Sequence, residues 1–328
     1  MDWALAKRHS RATIVGATSG DTGGAAIEAF KSSQHASVFM MHPHGRVSDV
    51  QRRQMTTVES PSVHNIAIEG NFDDCQAIVK ALFNDLAFRD RVGLAGVNSI
   101  NWARIMAQTV YYVTAALSLG APGRAASFCV PTGNFGDIFA GFVAKRMGIP
   151  VDRLLIATNV NDILDRTLKT GRYEQRGVKA STSPSMDIQI SSNFERLLFE
   201  VHGRDPNAVR RMMASLAQSG SFTIGARELE QIRHEFDSGA TDEAETAATI
   251  CQTLADTGEL LDPHSAVGYA VARKTEPSSS PMVTLATAHP AKFPDAVEKA
   301  CGVRPGLPPR LDYLLSALTL GVVGGFDP

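Results

Sequence analysis

The chain has 328 residues, 44% hydrophobic and 20% charged, with a formal net charge of −2. That is the composition of one large or two smaller globular domains, and a net charge of −2 implies no polyanion partner. No apolar window reaches membrane-spanning length, the start MDWALAKRHSRATIVGA lacks the apolar stretch of a signal peptide, and the Leu314–Val323 run is too short to span.

Cys75, Cys129, Cys251 and Cys301 form no CxxC and read as small core residues in a reducing cytoplasm. The nine histidines carry no metal-ligand spacing such as HExxH.

In chain order, Asp2–Lys7 reads as the end of a helix already under way at residue 1, with nothing to cap it. ATIVG, within Arg11–Gly16, is a strand. Ala17–Gly24 (ATSGDTGG) then turns into a helix over Ala25–Lys31. Hydroxyls and glycines at such a helix start suit a carboxylate or phosphate oxygen, and they equally suit a plain N-cap. Ser37–Met41 is the next strand, and Ser48 caps a helix through Thr56. Arg46, Arg52 and Arg53 could meet an anion or be solvated charges on that helix. Val63–Ile68 is a strand and Asp74–Asp85 a helix. The order β-α-β-α-β-α implies a parallel sheet with helices on its faces.

Asn98, Ser99, Asn101 and Arg104 cluster at the start of a helix over Trp102–Leu119, as caps or as a polar wall for a charged ligand. Phe128–Val130 is a buried strand. Gly133-Asn134-Phe135-Gly136 makes a tight turn, and Asp137 opens a helix that runs to Met147. A glycine turn between a strand and a helix N-terminus presents free N–H groups and the positive end of a helix dipole, so it reads as a phosphate cup. Arg153–Thr158 is a strand with Asn159, Asn161 and Asp162 at its carboxyl end, where open α/β sheets place ligands. Gly171–Ile190 reads as irregular. About 193–260 reads as a helical insertion with no strand, and its helix Asp242–Thr257 presents Ala248, Cys251, Leu254 and Ala255 as the buried side. Asp262-Pro263-His264-Ser265 starts a helix to Arg273, and Met282–Leu285 is a strand ending in ATAHPAKF. After Leu307 the tail loses clear organisation.

The sequence lacks GxGxxG after its first strand, GxxxxGK[ST] and GxSxG, which counts against a dinucleotide-binding protein, a P-loop NTPase and an α/β-hydrolase. What remains is a sheet with several polar strand-end turns, two of them glycine-rich, suited to a small phosphorylated ligand or cofactor.

ATSGDTGGAA, HPHGRVSDVQRRQM, EGNFDDCQ, NSINWARI, PTGNFGD, ATNVND, DPHSAVGYA and TAHPAKF occur in this order. Together they resemble threonine synthase of the bacterial and fungal type, from about residue 11 to about residue 305. The resemblance implies an α/β fold of open, mostly parallel sheets with helices on both faces, the two-domain fold type II of pyridoxal 5′-phosphate (PLP) enzymes. Residues 1–100 would be the remainder of the smaller domain, its N-terminal part missing. Residues 101–328 would be the larger, PLP-binding domain with the helical insertion.

The resemblance also implies the reaction of O-phospho-L-homoserine and water to L-threonine and phosphate, in the cytoplasm, by a monomer or homodimer with no nucleic-acid or membrane partner. Gly133, Asn134, Phe135 and Gly136 would hold the cofactor phosphate, and Thr287 would hydrogen-bond the pyridine nitrogen. Ser19, Gly20, Asp21 and Thr22, with Asn98, Ser99, Asn101 and Arg104, would bind substrate. His289 and Lys292 lie near the ring in sequence terms. The family's PLP-lysine motif, HGPTxxFKD, is absent, so no Schiff-base lysine is assigned and turnover by this chain alone is not expected. The alternatives are a catalytically dead PLP-binding remnant and a serine or threonine dehydratase-like lyase. Exposed apolar faces on the first helix and sheet would make the chain poorly soluble without a covering partner.

Overall fold

A computed structural model describes residues 1–18, 20–98 and 100–325, the Asp73 side chain excepted. The chain divides into two compact units, Met1–Asn98 with Gly306–Pro328, and Ser99–Pro305.

The first unit opens with α1 (Asp2–Lys7), which buries none of its residues. It continues through β1 (Ala12–Ala17), α2 (Asp21–Phe30), β2 (Ala36–Pro43), α3 (Asp49–Thr56), β3 (Val63–Glu69), α4 (Phe72–Asn84), α5 (Leu86–Val92) and β4 (Leu94–Gly96). β3, β2, β1 and β4 lie side by side in that order, all parallel. Successive side chains of a strand point to opposite faces. Ile14, Val38 and Met40 therefore join one core with Ile27 and Met55, while Val15, Met41 and Ile68 join a second with Cys75. The sequence pattern runs α4 on through Asp85, but Asp85 is the N-cap of α5. Its carboxylate accepts from the Phe88 N–H at 2.9 Å and restarts the helix. Neither α5 nor β4 was legible as a separate element.

The second unit runs α6 (Trp102–Ser118), β5 (Ala126–Pro131), α7 (Gly136–Arg146), β6 (Val151–Thr158), α8 (Ile163–Thr170), β7 (Arg172–Glu174), α9 (Phe194–Val201), α10 (Pro206–Ser219), β8 (Ser221–Thr223), α11 (Ala226–Glu235), β9 (Phe236–Ala240), α12 (Glu243–Thr257), α13 (Pro263–Lys274), β10 (Met282–Thr284) and α14 (Pro294–Cys301). Its sheet has the order β10-β5-β6-β9, all parallel. β7 and β8 form a separate antiparallel pair. Two expectations are corrected here. The stretch 193–260 is not purely helical, because β8 and β9 interrupt it and β9 completes the sheet beside β6. The stretch 171–190 is not wholly irregular, since it carries α8's glycine cap and β7.

α12 also packs by a face other than the apolar one. Thr246, Thr249, Ile250 and Thr253 are buried, whereas Ala248, Cys251 and Ala255 are exposed. Threonine methyls supply apolar surface, and the Thr246 hydroxyl donates back to the Asp242 carbonyl at 2.7 Å. Cys251 is thus not a core residue; Cys75 and Cys129 are.

The tail is organised, and it belongs to the first unit rather than to the second. Residues Pro309–Leu315 form a 3₁₀ turn whose Leu314 carbonyl accepts from Arg53 Nη1 at 3.0 Å. β11 (Val322–Gly325) then pairs parallel with β3 and becomes the edge of that sheet. Among the described residues no helix is long and apolar enough to cross a membrane.

α6 crosses α7 at a glycine. A Cβ on Gly141 would lie 2.5 Å from Tyr112 Cε1 and 2.9 Å from Leu154 Cδ2. Gly141→Ala is expected to cost about 1–3 kcal/mol by overpacking. An unchanged urea midpoint in the variant would contradict this close approach.

Candidate functional site

The turn between β5 and α7 is built by its carbonyls. Ser191 Oγ donates to the Gly133 carbonyl at 2.7 Å, and the Asn193 backbone and side-chain amides donate to the Asn134 carbonyl at 3.0 and 3.1 Å. Asn134 Oδ1 accepts the Gly136 N–H at 2.9 Å. Among the described residues no acceptor meets the N–H groups of Gly133, Asn134, Phe135 or Asp137. Acceptors are tied back and donors are left over, which is the donor set an anion requires. Phe135 is the N-cap, with φ 66°, in the left-handed region that a bulky side chain avoids. Its ring is 1% exposed and packs against Phe194, Phe236 and Phe139, with centroids 5.2, 5.6 and 6.4 Å away. Burial of the ring holds the strained backbone.

Asp137 follows on the first turn of α7. Tyr112 Oη donates to its carbonyl at 2.8 Å and to its Oδ1 at 3.1 Å. Burial pushes the Asp137 carboxyl up to about 6, against the lowering effects of Tyr112 and Arg104. Burial also holds the Tyr112 hydroxyl well above its ordinary range.

Thr287 lies after β10, which pairs with β5, so it and the Gly133 turn follow neighbouring strands at one carboxyl edge. Thr287 is exposed, and its N–H donates to Ser265 Oγ at 3.2 Å. Ser265 Oγ in turn donates to Asp262 Oδ2. Asp262 caps α13, and its Oδ1 accepts from the His264 N–H at 2.8 Å and pairs with His264 Nδ1 at 2.9 Å. Burial pushes the Asp262 carboxyl up, but the bonds from His264 and Ser265 outweigh it and leave the group below the usual carboxylate range. His264 Nε2 accepts the Ser185 N–H at 3.3 Å, so the ring carries its proton on Nδ1.

Asn159 and Asn161, expected at a ligand edge, are spent on an internal network. Both side-chain amides donate to Asp187 Oδ1 at 2.9 Å, and Ser181 Oγ joins them at 2.6 Å. This pins the loop that carries Ser185 and Met186 beneath Gly133, where a Cβ would lie 2.8 Å from the Ser185 carbonyl oxygen.

In the first unit, Gly20 has φ 139° and is the N-cap of α2. The neighbouring Thr18, not singled out in the sequence, is 2% exposed, and its Oγ1 accepts the Gly20 and Gly23 N–H groups, both at 2.9 Å. Two donors of that turn are therefore satisfied within the chain. Asp21 Oδ1 accepts from Gln51 Nε2 at 3.0 Å. Ser19 and Ser99 lie outside the described residues. Asn101 acts as a cap, accepting the Ala103 N–H at 2.9 Å, and Arg104 is exposed one turn on. Arg52 and Arg53 pair with Asp49 at 2.5 and 2.8 Å, and Arg53, half-buried, also holds the Leu314 carbonyl. His289 Nδ1 accepts the Ala291 N–H at 3.1 Å, a structural role.

A family profile described as pyridoxal-phosphate dependent enzyme matches residues 1–288, and one described as threonine synthase, C-terminal, matches residues 265–318. The chain is 55% identical to the threonine synthase of Pseudomonas aeruginosa over 313 residues, covering 95% of this chain and 67% of that one. The chain belongs to the threonine synthase family. Among solved structures, PLP-bound threonine synthase from Brucella melitensis is 64% identical with a TM-score of 0.96, covering 99% of this chain and 70% of that one. Yeast threonine synthase is 39% identical, with a TM-score of 0.91 over 99% of this chain and 70% of that one. The chain spans 61% to 67% of the length of threonine synthases such as those of Eremothecium gossypii and P. aeruginosa. The threonine synthase match reaches residue 318, beyond about residue 305, where the resemblance read from the sequence ends.

The residues that sequence reasoning passed over are those behind the turn: Tyr112, Ser185, Ser191, Asn193, Asp262 and His264. Asp262 and His264 lie in the DPHSAVGYA block, which was read as a helix start and as part of the family resemblance, with no site role given to either residue.

The folded pKa of Asp137, about 6, lies above its unfolded value of 3.8. Its stabilising contribution is therefore full below about pH 4 and is lost as pH rises through 6. The full shift corresponds to about 3 kcal/mol, reduced to roughly 1–2 by partial exposure. Thermal melts of Asp137→Asn are expected to be flatter than the parent's between pH 4.5 and 7.5, and a parallel decline in both would refute the assignment.

Proposed function

We propose that this chain is a threonine synthase polypeptide that binds PLP and acts on O-phospho-L-homoserine and water to give L-threonine and phosphate. The observation that carries this reading is the Gly133–Gly136 turn, whose carbonyls are tied back and whose N–H groups are left for an anion. That donor set fits the phosphate of PLP. Thr287, after the neighbouring strand, offers the pyridine nitrogen a neutral hydroxyl. Bound PLP supplies the electron sink for carbanions beside the substrate amine.

The chain's own residues bind and orient. The turn holds one end of the cofactor and Thr287 the other. Gly20, Asp21 and Thr22 with Ser19, and Asn98, Asn101 and Arg104 with Ser99, are the proposed partners of the substrate's carboxylate and phosphate, and donors there would stabilise departing phosphate. The proposed setting is the cytoplasm, as a monomer or homodimer. Identity of 33% to 55% to several threonine synthases weighs against a dehydratase.

One observation favours a restricted version of this reading: HGPTxxFKD does not occur in the 328 residues. The chain supplies the cup without that lysine, so binding and turnover separate. With PLP and O-phospho-L-homoserine, the chain alone is expected to release no phosphate above background. Robust release would overturn this restriction. The chain is nonetheless expected to bind pyridoxine 5′-phosphate, and Gly133→Ala is expected to weaken that binding about tenfold, the equivalent of one hydrogen bond. Equal affinity in the two proteins would overturn the placement of the phosphate.

A further inference from the structure

α13 begins where β5 and β10 end. A Cβ on Gly268 would lie 2.9 Å from Pro131 Cγ and 3.0 Å from Thr284 Cγ2, so the helix lies directly on both strand ends. Cys129 Sγ donates to the Gly268 carbonyl at 3.1 Å. At the first residue before this helix stands Asp262, 1% exposed. An ordinary N-cap uses one carboxylate oxygen on one or two backbone N–H groups. Asp262 does that and more, because each of its oxygens also takes a side chain. Oδ1 holds His264 Nδ1 at 2.9 Å, and Nε2 of the same ring holds the Ser185 N–H at 3.3 Å. The Ser185 carbonyl oxygen is the atom against which Gly133 is packed. Oδ2 holds Ser265 Oγ, which holds the Thr287 N–H at 3.2 Å. The His264 ring is 4.7 Å from the Phe293 ring, which restricts its tilt.

We propose that Asp262 is a positioning residue that sets the separation between the two ends of the cofactor site, one carboxylate oxygen fixing the phosphate turn through His264 and Ser185, the other fixing Thr287 through Ser265. This rests on the reading of Gly133–Gly136 as the phosphate end and Thr287 as the pyridine end. Asp262 touches neither cofactor nor substrate. It acts by distributing one buried charge over two arms, and each arm adjusts one end of the site.

The arms are separable by probes that differ only in the phosphate. Pyridoxine 5′-phosphate and pyridoxine are both fluorescent, and neither has an aldehyde to react with surface lysines. The full chain is titrated with each, and the affinity ratio reads the phosphate end alone. His264→Asn keeps an amide near the Nδ1 position for Asp262 but does not reach Ser185. His264→Gln places an amide near Nε2 and keeps the Ser185 contact. H264N is expected to narrow the ratio about five- to tenfold, the effect of one lost hydrogen bond, and H264Q to restore it. Ser265→Ala is expected to leave the ratio unchanged, to weaken both probes about equally and to shift the emission of the bound ring. D262N should show both effects.

A purely structural cap would lower the affinity of both probes together in every variant, without rescue by Gln. That result, or a ratio that moves equally in H264N and S265A, overturns the proposal. Absence of any phosphate preference in the parent chain overturns the phosphate-turn reading itself and the proposal with it. A preserved preference with undifferentiated variants overturns the proposal alone. Thermal melts of H264N and H264Q, two polar variants of similar size, show whether a changed ratio follows the contact or the fold.

Discussion

The second unit depends on one backbone constraint: Phe135 must keep a left-handed conformation while its ring stays buried. The conformation costs roughly 1–2 kcal/mol for a residue with a Cβ. The aromatic cluster of Phe135, Phe139, Phe194 and Phe236 offsets that cost, and it is assembled from α7, α9 and β9. The strained turn then frees a row of N–H groups at the start of α7. α9 and β9, remote from the turn in sequence, supply the ring contacts that hold it in this strained shape. This gives the stretch 193–260 a physical purpose beyond filling volume.

The turn itself was legible because its signals are local. A short apolar run, a proline, two glycines and a helix pattern all fall within about a dozen residues. The parallel sheets were legible for the same reason, from apolar runs alternating with amphipathic stretches. What holds the turn was not. Ser191 and Asn193 lie 58 and 59 residues from the carbonyls they bind, and Ser185 lies 79 residues from His264. No periodicity connects such pairs. β9 escaped because FDSGA has a glycine and an aspartate where a strand pattern needs apolar residues, and it is stable only as a partner of β6. α12 was read by hydropathy alone, which ranks alanine and cysteine above threonine. The packing instead follows the helical repeat of Thr246, Thr249, Ile250 and Thr253.

The two glycine-bearing turns, similar in sequence, differ in what they do with their donors. Thr18 occupies two N–H groups of the first turn from within the chain. Ser191 and Asn193 occupy carbonyls of the second and leave its N–H groups open. The distinction is electrostatic: the first turn has internally quenched part of its positive end, and the second has kept its own. The second turn therefore offers an anion more unpaired donors than the first.

The thiols carry a practical consequence. Burial pushes Cys129 up to about 12 and Cys75 up to about 11, so neither offers a thiolate to a reagent while the fold is intact. Cys251 stands exposed on the outer face of α12. The native chain thus carries a handle for maleimide chemistry in one unit, while a silent thiol in each unit, Cys75 on α4 and Cys129 on β5, awaits exposure. Cys75 reports the opening of the first unit and Cys129 that of the second. Timed alkylation followed by peptide mass mapping would turn those two silent groups into separate clocks for the unfolding of each unit.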